Sequence, residues 1–188
     1  MTSPRHADLS GVLVKIERAK THLNDFDRRA KRVVDACRKA IVREHDQQRS
    51  EYVYRFRQVP PIPPMMSAVI GDAIHNLRVS LDHLAWQLVI ADGGQPDDTT
   101  TFPVLEVPPT PNRYGRVRVQ ISPGVSKELG RVLDEVQPYK RTKPAHHELA
   151  TLHRLDISDK HRELLISVIG VQFLGLQPMS LPPCQGSP

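Results

Sequence analysis

At 188 residues the chain has the length of one ordinary domain with its own core, and too few residues for two of usual size. Hydrophobic residues make up 39% and aromatics only 5%, which points to an aliphatic core of helix on helix. The formal charge of +5, spread along the chain, favours encounters with polyanions such as RNA without requiring them. Cys37, on an apolar helix position, and Cys184, in a Pro-rich tail, make no disulfide framework; with no signal-peptide core at the N-terminus, a reducing, cytoplasmic setting is expected.

From Leu9 to Ile41, Val12, Ile16, Ala19, Leu23, Phe26, Ala30, Val33 and Cys37 alternate in steps of four and three, the pattern of one long amphipathic helix with Asp8 or Ser10 as its N-cap. Tyr52, Tyr54 and Phe56, with Arg55 and Arg57 on the other face, predict a β-hairpin at about 41–59. The run Pro60-Pro-Ile-Pro-Pro64 stops it, and its last proline suits the start of a second helix, about Met65 to Ala91, ended by Asp92-Gly93-Gly94. Ile70, Ile74, Leu77, Leu81, Leu84 and Leu88 form the seam of that helix. The two helices are expected to pack antiparallel, each buried Leu or Ile contributing about 1.5–3 kcal/mol.

Residues 95–112 read as a long loop rich in Pro, Asp and Thr, followed by a short strand at 116–121. Ser122-Pro123 is expected to open a third helix that stops at Gln137-Pro138, and Pro144 a fourth that runs to about Ile157. The apolar run Leu164 to Leu176 reads as a strand. It is too short to span a bilayer and is broken by Ser167, Gly170 and Gln172, so no membrane insertion is expected. The expected fold class is mainly α (α+β): a helical bundle on two long antiparallel helices, with a small β-hairpin and a short C-terminal strand. Residues 1–176 would form one domain and 177–188 a disordered tail.

Behind the seam of the second helix, Asp72, His75, Asn76, Val79, Asp82, His83 and Trp86 fall within about 120° of one another at ~100° per residue. A solvated helix face is usually built from Lys, Glu, Gln and Arg; Asp, Asn and His are weaker helix formers, so this face points to a function. The bland account is that Arg78 and Asp82 form an i,i+4 pair, that His75 or Asn76 caps a loop, and that Trp86 is packing. A second polar cluster, His153-Arg-Leu-Asp156 and Asp159-Lys-His-Arg162, sits where the fourth helix ends.

The run Gly71-Asp-Ala-Ile-His-Asn-Leu-Arg-Val-Ser-Leu-Asp-His-Leu-Ala-Trp86, with Phe102-Pro103, Gln137-Pro-Tyr139 and Asp159-Lys-His-Arg162, resembles a family of uncharacterised prokaryotic proteins over residues 40–166. That resemblance implies that both polar clusters belong to one site. More distantly, Arg78-Val-Ser-Leu-Asp-His83 is similar to the Arg/His motif of the HEPN superfamily, helical bundles that include metal-independent ribonucleases. It departs from the family in Val79, where a polar residue is common, and in the hairpin. The HEPN resemblance implies RNA as partner and no cofactor. It implies His83 as general acid or base, with Asp82 and His75 beside it, and Arg78 as phosphate clamp. Asp72, Asn76, Lys160, His161 and Arg162 would then serve as substrate contacts. Arg78 and His83 lie about 140° apart on an ideal helix, so the resemblance also implies a homodimer.

Two other readings stand beside this one. Asp72, His75, Asp82 and His153 or His161 offer ligand types for a metal, since Asp-x-x-His puts two ligands on one helical face. Alternatively the Asp/His face belongs to a non-catalytic interaction module, or only orders the loop after the second helix.

Overall fold

The computed structural model describes residues 6–58, 61–110, 121 and 125–161. The first helix, α1, spans Ser10–Lys39 and buries Ala19, Ala30 and Cys37, three of its expected inward positions. Its N-cap position is held by Leu9, which offers no side-chain oxygen. Asp8 supplies one from a residue earlier, its carboxylate accepting the Ser10 N–H at 2.9 Å.

Strands β1, Ile41–Asp46, and β2, Glu51–Phe56, form the expected antiparallel hairpin, with Ile41 opposite Phe56 and Asp46 opposite Glu51. The Asp46 carboxylate closes the turn by accepting the N–H groups of Gln48 and Arg49 at 2.9 and 3.2 Å. The second long helix, α2, spans Pro64–Ala91. Pro64 stands in the first turn, where the missing N–H would have had no helical partner. Gly93 follows the last turn at φ +83°, a conformation open to a residue without Cβ.

Helices α1 and α2 are antiparallel neighbours. The Asp8 N–H donates to Gln87 Oε1 at 2.9 Å, and Gly11 lies so close under His83 that a Cβ there would stand 2.8 Å from Nδ1. Helix α3 spans Lys127–Glu135 and starts later than Ser122-Pro123 suggests, because Ser126 is the cap. The Ser126 hydroxyl accepts the Leu129 N–H at 3.2 Å, and both its O–H and its N–H donate to Asp92, which ties α3 to the end of α2. Two 3₁₀ turns, Pro138–Lys140 and Pro144–His146, lead into α4, Glu148–His161, which runs a turn beyond the expected end. Of the strand expected at 116–121 only Ile121 is described, buried and outside any strand. The strand expected at 164–176 and the tail at 177–188 lie outside the described residues.

The burial of α2 departs from the expected seam-to-seam packing. Among Ile70, Ile74, Leu77, Leu81, Leu84 and Leu88 only Ile74 is fully buried, and the others are half-buried. Full burial falls on two flanks, each about 90° from the seam. On one flank Ala85 and Val89 join Phe102, Ile121, Leu129 and Leu133 in the core, with Leu105, Tyr139 and Leu149 against it. On the other, His83 and Gln87 meet the start of α1, and Met66, Val69, Ala73 and Ser80 continue that stripe at steps of three, four and seven, all buried. Small residues at Ala73 and Ser80 let the α1 backbone approach, while the leucines form a wedge between the two flanks. No described helix is long and apolar enough to cross a membrane.

Candidate functional site

Because α2 is buried on two flanks, its polar face is divided. Asp72 and Trp86, at the centre of the 120° stripe, are exposed. Its edges reach the flanks: His75 and Asp82 lean toward α4 and the loop, His83 toward α1. Asn76 turns back on its own helix, its Nδ2 donating to the Asp72 carbonyl at 2.7 Å. His75 and His83 stand eight residues apart, about 12 Å along the axis. They do not share one site.

Arg78 and Asp82 hold the loop after α2. The Arg78 guanidinium is buried, with Nη2 donating to the Phe102 carbonyl at 3.0 Å, while Asp82 Oδ1 accepts the Phe102 N–H at 2.9 Å. Arg78 Nη1 lies 2.9 Å from the same carboxylate oxygen, off the line of a hydrogen bond, so that contact is an ion pair. Both backbone polar groups of Phe102 are thereby satisfied below the surface.

Gln137, which the sequence suggested as a helix stop and as part of the family resemblance, is 0% exposed and extends that clamp. Its Oε1 accepts the Leu105 N–H at 3.0 Å, and its Nε2 donates to the Pro103 carbonyl at 3.1 Å and the Leu133 carbonyl at 3.0 Å. The Tyr139 N–H donates to the Leu105 carbonyl at 3.1 Å. The motif fragments Phe102-Pro103 and Gln137-Pro-Tyr139 are therefore two sides of one hydrogen-bonded seat for residues 102–105.

At the other end of the flank, α4 folds back against α2. Asp159 packs on Gly71 so closely that a Cβ there would collide with its carboxylate. One turn away, His75 Nδ1 stands 3.2 Å from Asp156 Oδ1. The Asp156 side chain is 5% exposed and that of His75 47%. A carboxylate accepts, so Nδ1 carries the proton and Nε2 is the basic nitrogen, on a ring open to a ligand and held from behind by a buried acid. Gly71, His75, Asp156 and Asp159 thus unite the first half of the α2 motif with the α4 cluster. No residue pattern paired Asp156 with His75; the one available signal was the family resemblance, which implies that their two polar clusters belong to one site.

The remaining site expectations fall in different places. Arg162 and the side chains of Lys160 and His161 lie outside the described residues. His153 is half-buried, and its Nδ1 has no hydrogen-bond partner among the described residues. Asp72, His75, Asp82 and His153 are not gathered around one point, and among the described residues no three His, Cys, Asp or Glu side chains are placed to hold a metal ion. No family model, curated protein or solved structure matches the chain.

Proposed function

We propose that the protein binds RNA and cleaves it without a metal, with His75 as the proton-transfer group and Asp156 as its positioning partner. The observation that carries this reading is the half-open imidazole 3.2 Å from a buried carboxylate, at the corner where both polar clusters meet. A neutral imidazole suits the first proton transfer at neutral pH. His75 Nε2 takes the ribose 2′-hydroxyl proton and O2′ attacks phosphorus. The bond to O5′ breaks as that oxygen takes a proton from water, and His75 Nε2 gives the proton it took from O2′ back to solvent, leaving a 2′,3′-cyclic phosphate and a 5′-hydroxyl. Lys160 and Arg162, one and three residues after Asp159 in sequence, are the cations this reading assigns to the phosphate.

This moves the chemistry out of the HEPN-like Arg78–His83 run. Arg78, the clamp in that resemblance, has its guanidinium turned to Phe102 and Asp82, and His83 sits over Gly11. His75 and Asp156 come from one chain, so the chemistry needs no second copy.

The clamp on residues 102–105 favours a second reading, a non-catalytic interaction module whose polar residues order a loop. RNA cleavage in excess chelator separates the two. The wild-type chain is expected to release cyclic-phosphate ends, His75→Gln to slow cleavage by about 10²-fold or more, and His83→Gln to leave it within about threefold. Loss in His83→Gln with His75→Gln unaffected returns the chemistry to the Arg78/His83 pair. No cleavage by the wild type leaves the interaction module.

A further inference from the structure

The β1–β2 hairpin packs mainly strand on strand and against the end of α1. Its register sorts its side chains by chemistry. Arg43 stands opposite Tyr54 and His45 opposite Tyr52; Val42 pairs with Arg55, Glu44 with Val53 and Asp46 with Glu51. Because successive residues alternate between faces, Arg43, His45, Tyr52 and Tyr54 share one face, and all three carboxylates of the two strands lie on the other. On that second face Glu44 pairs with Arg55 at 3.3 Å, while Asp46 is engaged by its turn.

The first face is cationic and aromatic with no acid on it. Tyr52 and Tyr54 are 58% and 68% exposed, an unfavourable state for two rings that nothing among the described residues covers. The Arg43 guanidinium lies 4.5 Å over the Tyr52 ring, and the His45 ring meets its edge at 4.9 Å. A guanidinium backed by open rings matches a strand whose bases are free to stack and whose phosphates are negative. A duplex offers the charge but keeps its bases stacked inside, and an aliphatic peptide would seek a groove, which a flat two-stranded face lacks.

We propose that the face formed by Arg43, His45, Tyr52 and Tyr54 is a docking site for single-stranded nucleic acid. Tyr54 and the Arg43–Tyr52 pair offer two stacking surfaces, Arg43 supplies positive charge beside them, and His45 adds a third ring. The site does not depend on His75, since a strand is held there whether or not the chain cleaves it.

The test is binding of the full-length chain to a labelled single-stranded RNA, the matching single-stranded DNA and the RNA duplex, in chelator at moderate salt. Both single strands are expected to bind at least about tenfold more tightly than the duplex. Tyr52→Thr with Tyr54→Thr, which keeps residues suited to strands, is expected to weaken single-strand binding about tenfold or more. Phe at both positions is expected to retain it within about twofold, and Glu44→Gln on the opposite face to leave it unreduced. Equal binding of duplex and single strand, displacement by heparin as effective as by unlabelled RNA, or unchanged affinity in the Thr variant would each overturn the proposal. So would equal losses in the Phe and Thr variants. Binding is read apart from product formation, so single-strand binding without cleavage counts against the cleavage reading alone, and cleavage with unchanged affinity in the Thr variant counts against the docking site alone.

Discussion

Gln137 shows how one side chain can set a local structure. Its amide satisfies Leu105 N–H, Pro103 C=O and Leu133 C=O with no surface exposed. Gln137→Leu keeps much of the volume and strands all three groups, so we expect a loss of about 3 kcal/mol, read as a lower urea midpoint at unchanged slope. A loss below about 1 kcal/mol would mean that water replaces the amide. Gly71 and Gly11 make a matched pair. Alanine in a helix gains up to about 1 kcal/mol over glycine. At Gly11 the obstacle is the exposed His83 ring, which can turn away, so Gly11→Ala is expected to be neutral or stabilising. At Gly71 the whole Asp159 carboxyl must move from its seat between two packed helices, and Gly71→Ala is expected to lower the melting temperature. Equal stabilisation by both would mean that the end of α4 does not sit on α2.

The same reasoning at the scale of elements explains what α2 does. Hydrophobic spacing located this helix and its caps to within a residue, because both are local signals. It could not reveal that the leucines are a half-buried wedge with full burial on the flanks, since that depends on where α1 and the 102–105 segment dock. For the same reason the sequence displayed one polar face where the fold makes three separate contacts. Arg78 was legible as the partner of Asp82, but Phe102, which both hold, lies 24 and 20 residues away in the chain. Arg78→Met is expected to cost about 2–4 kcal/mol, toward the lower end because Asp82 is one-third exposed and can draw in water. Amide hydrogen exchange should quicken at Phe102 more than at Ala85 within α2. Uniform acceleration at both would mean that Arg78 supports the whole fold rather than this loop.

At the scale of the whole molecule, four surface groups among the described residues are held away from their ordinary pKa. Asp8 is held below the ordinary 3.8 by the Ser10 N–H, Asp25 by its hydrogen bond to Arg29, and Asp97 by the Thr99 hydroxyl. Each binds its proton less readily folded than unfolded, so its contribution is present above about pH 4 and is lost as pH falls further. Lys140, raised above 10.5 by its bond to Asp134, has the opposite sign: its contribution is present below that value and is lost as pH rises through the raised one. These four groups therefore add no slope to the melting temperature between about pH 5 and 9, and replacing the three aspartates by Asn should make the acid limb shallower. An unchanged acid limb would place the titration elsewhere.

The helical scaffold and hairpin were readable from period and turn residues. The pairing of His75 with Asp156 was not, because it joins residues 81 positions apart. That pairing is most directly tested by a double-mutant cycle of RNA cleavage rates in chelator, with folding monitored in parallel. If the buried acid works through the imidazole, Asp156→Asn slows cleavage about tenfold or more, and adding it to His75→Gln causes no further loss. Losses that multiply in the double variant, or an Asp156→Asn protein that cleaves at the wild-type rate, would contradict the account.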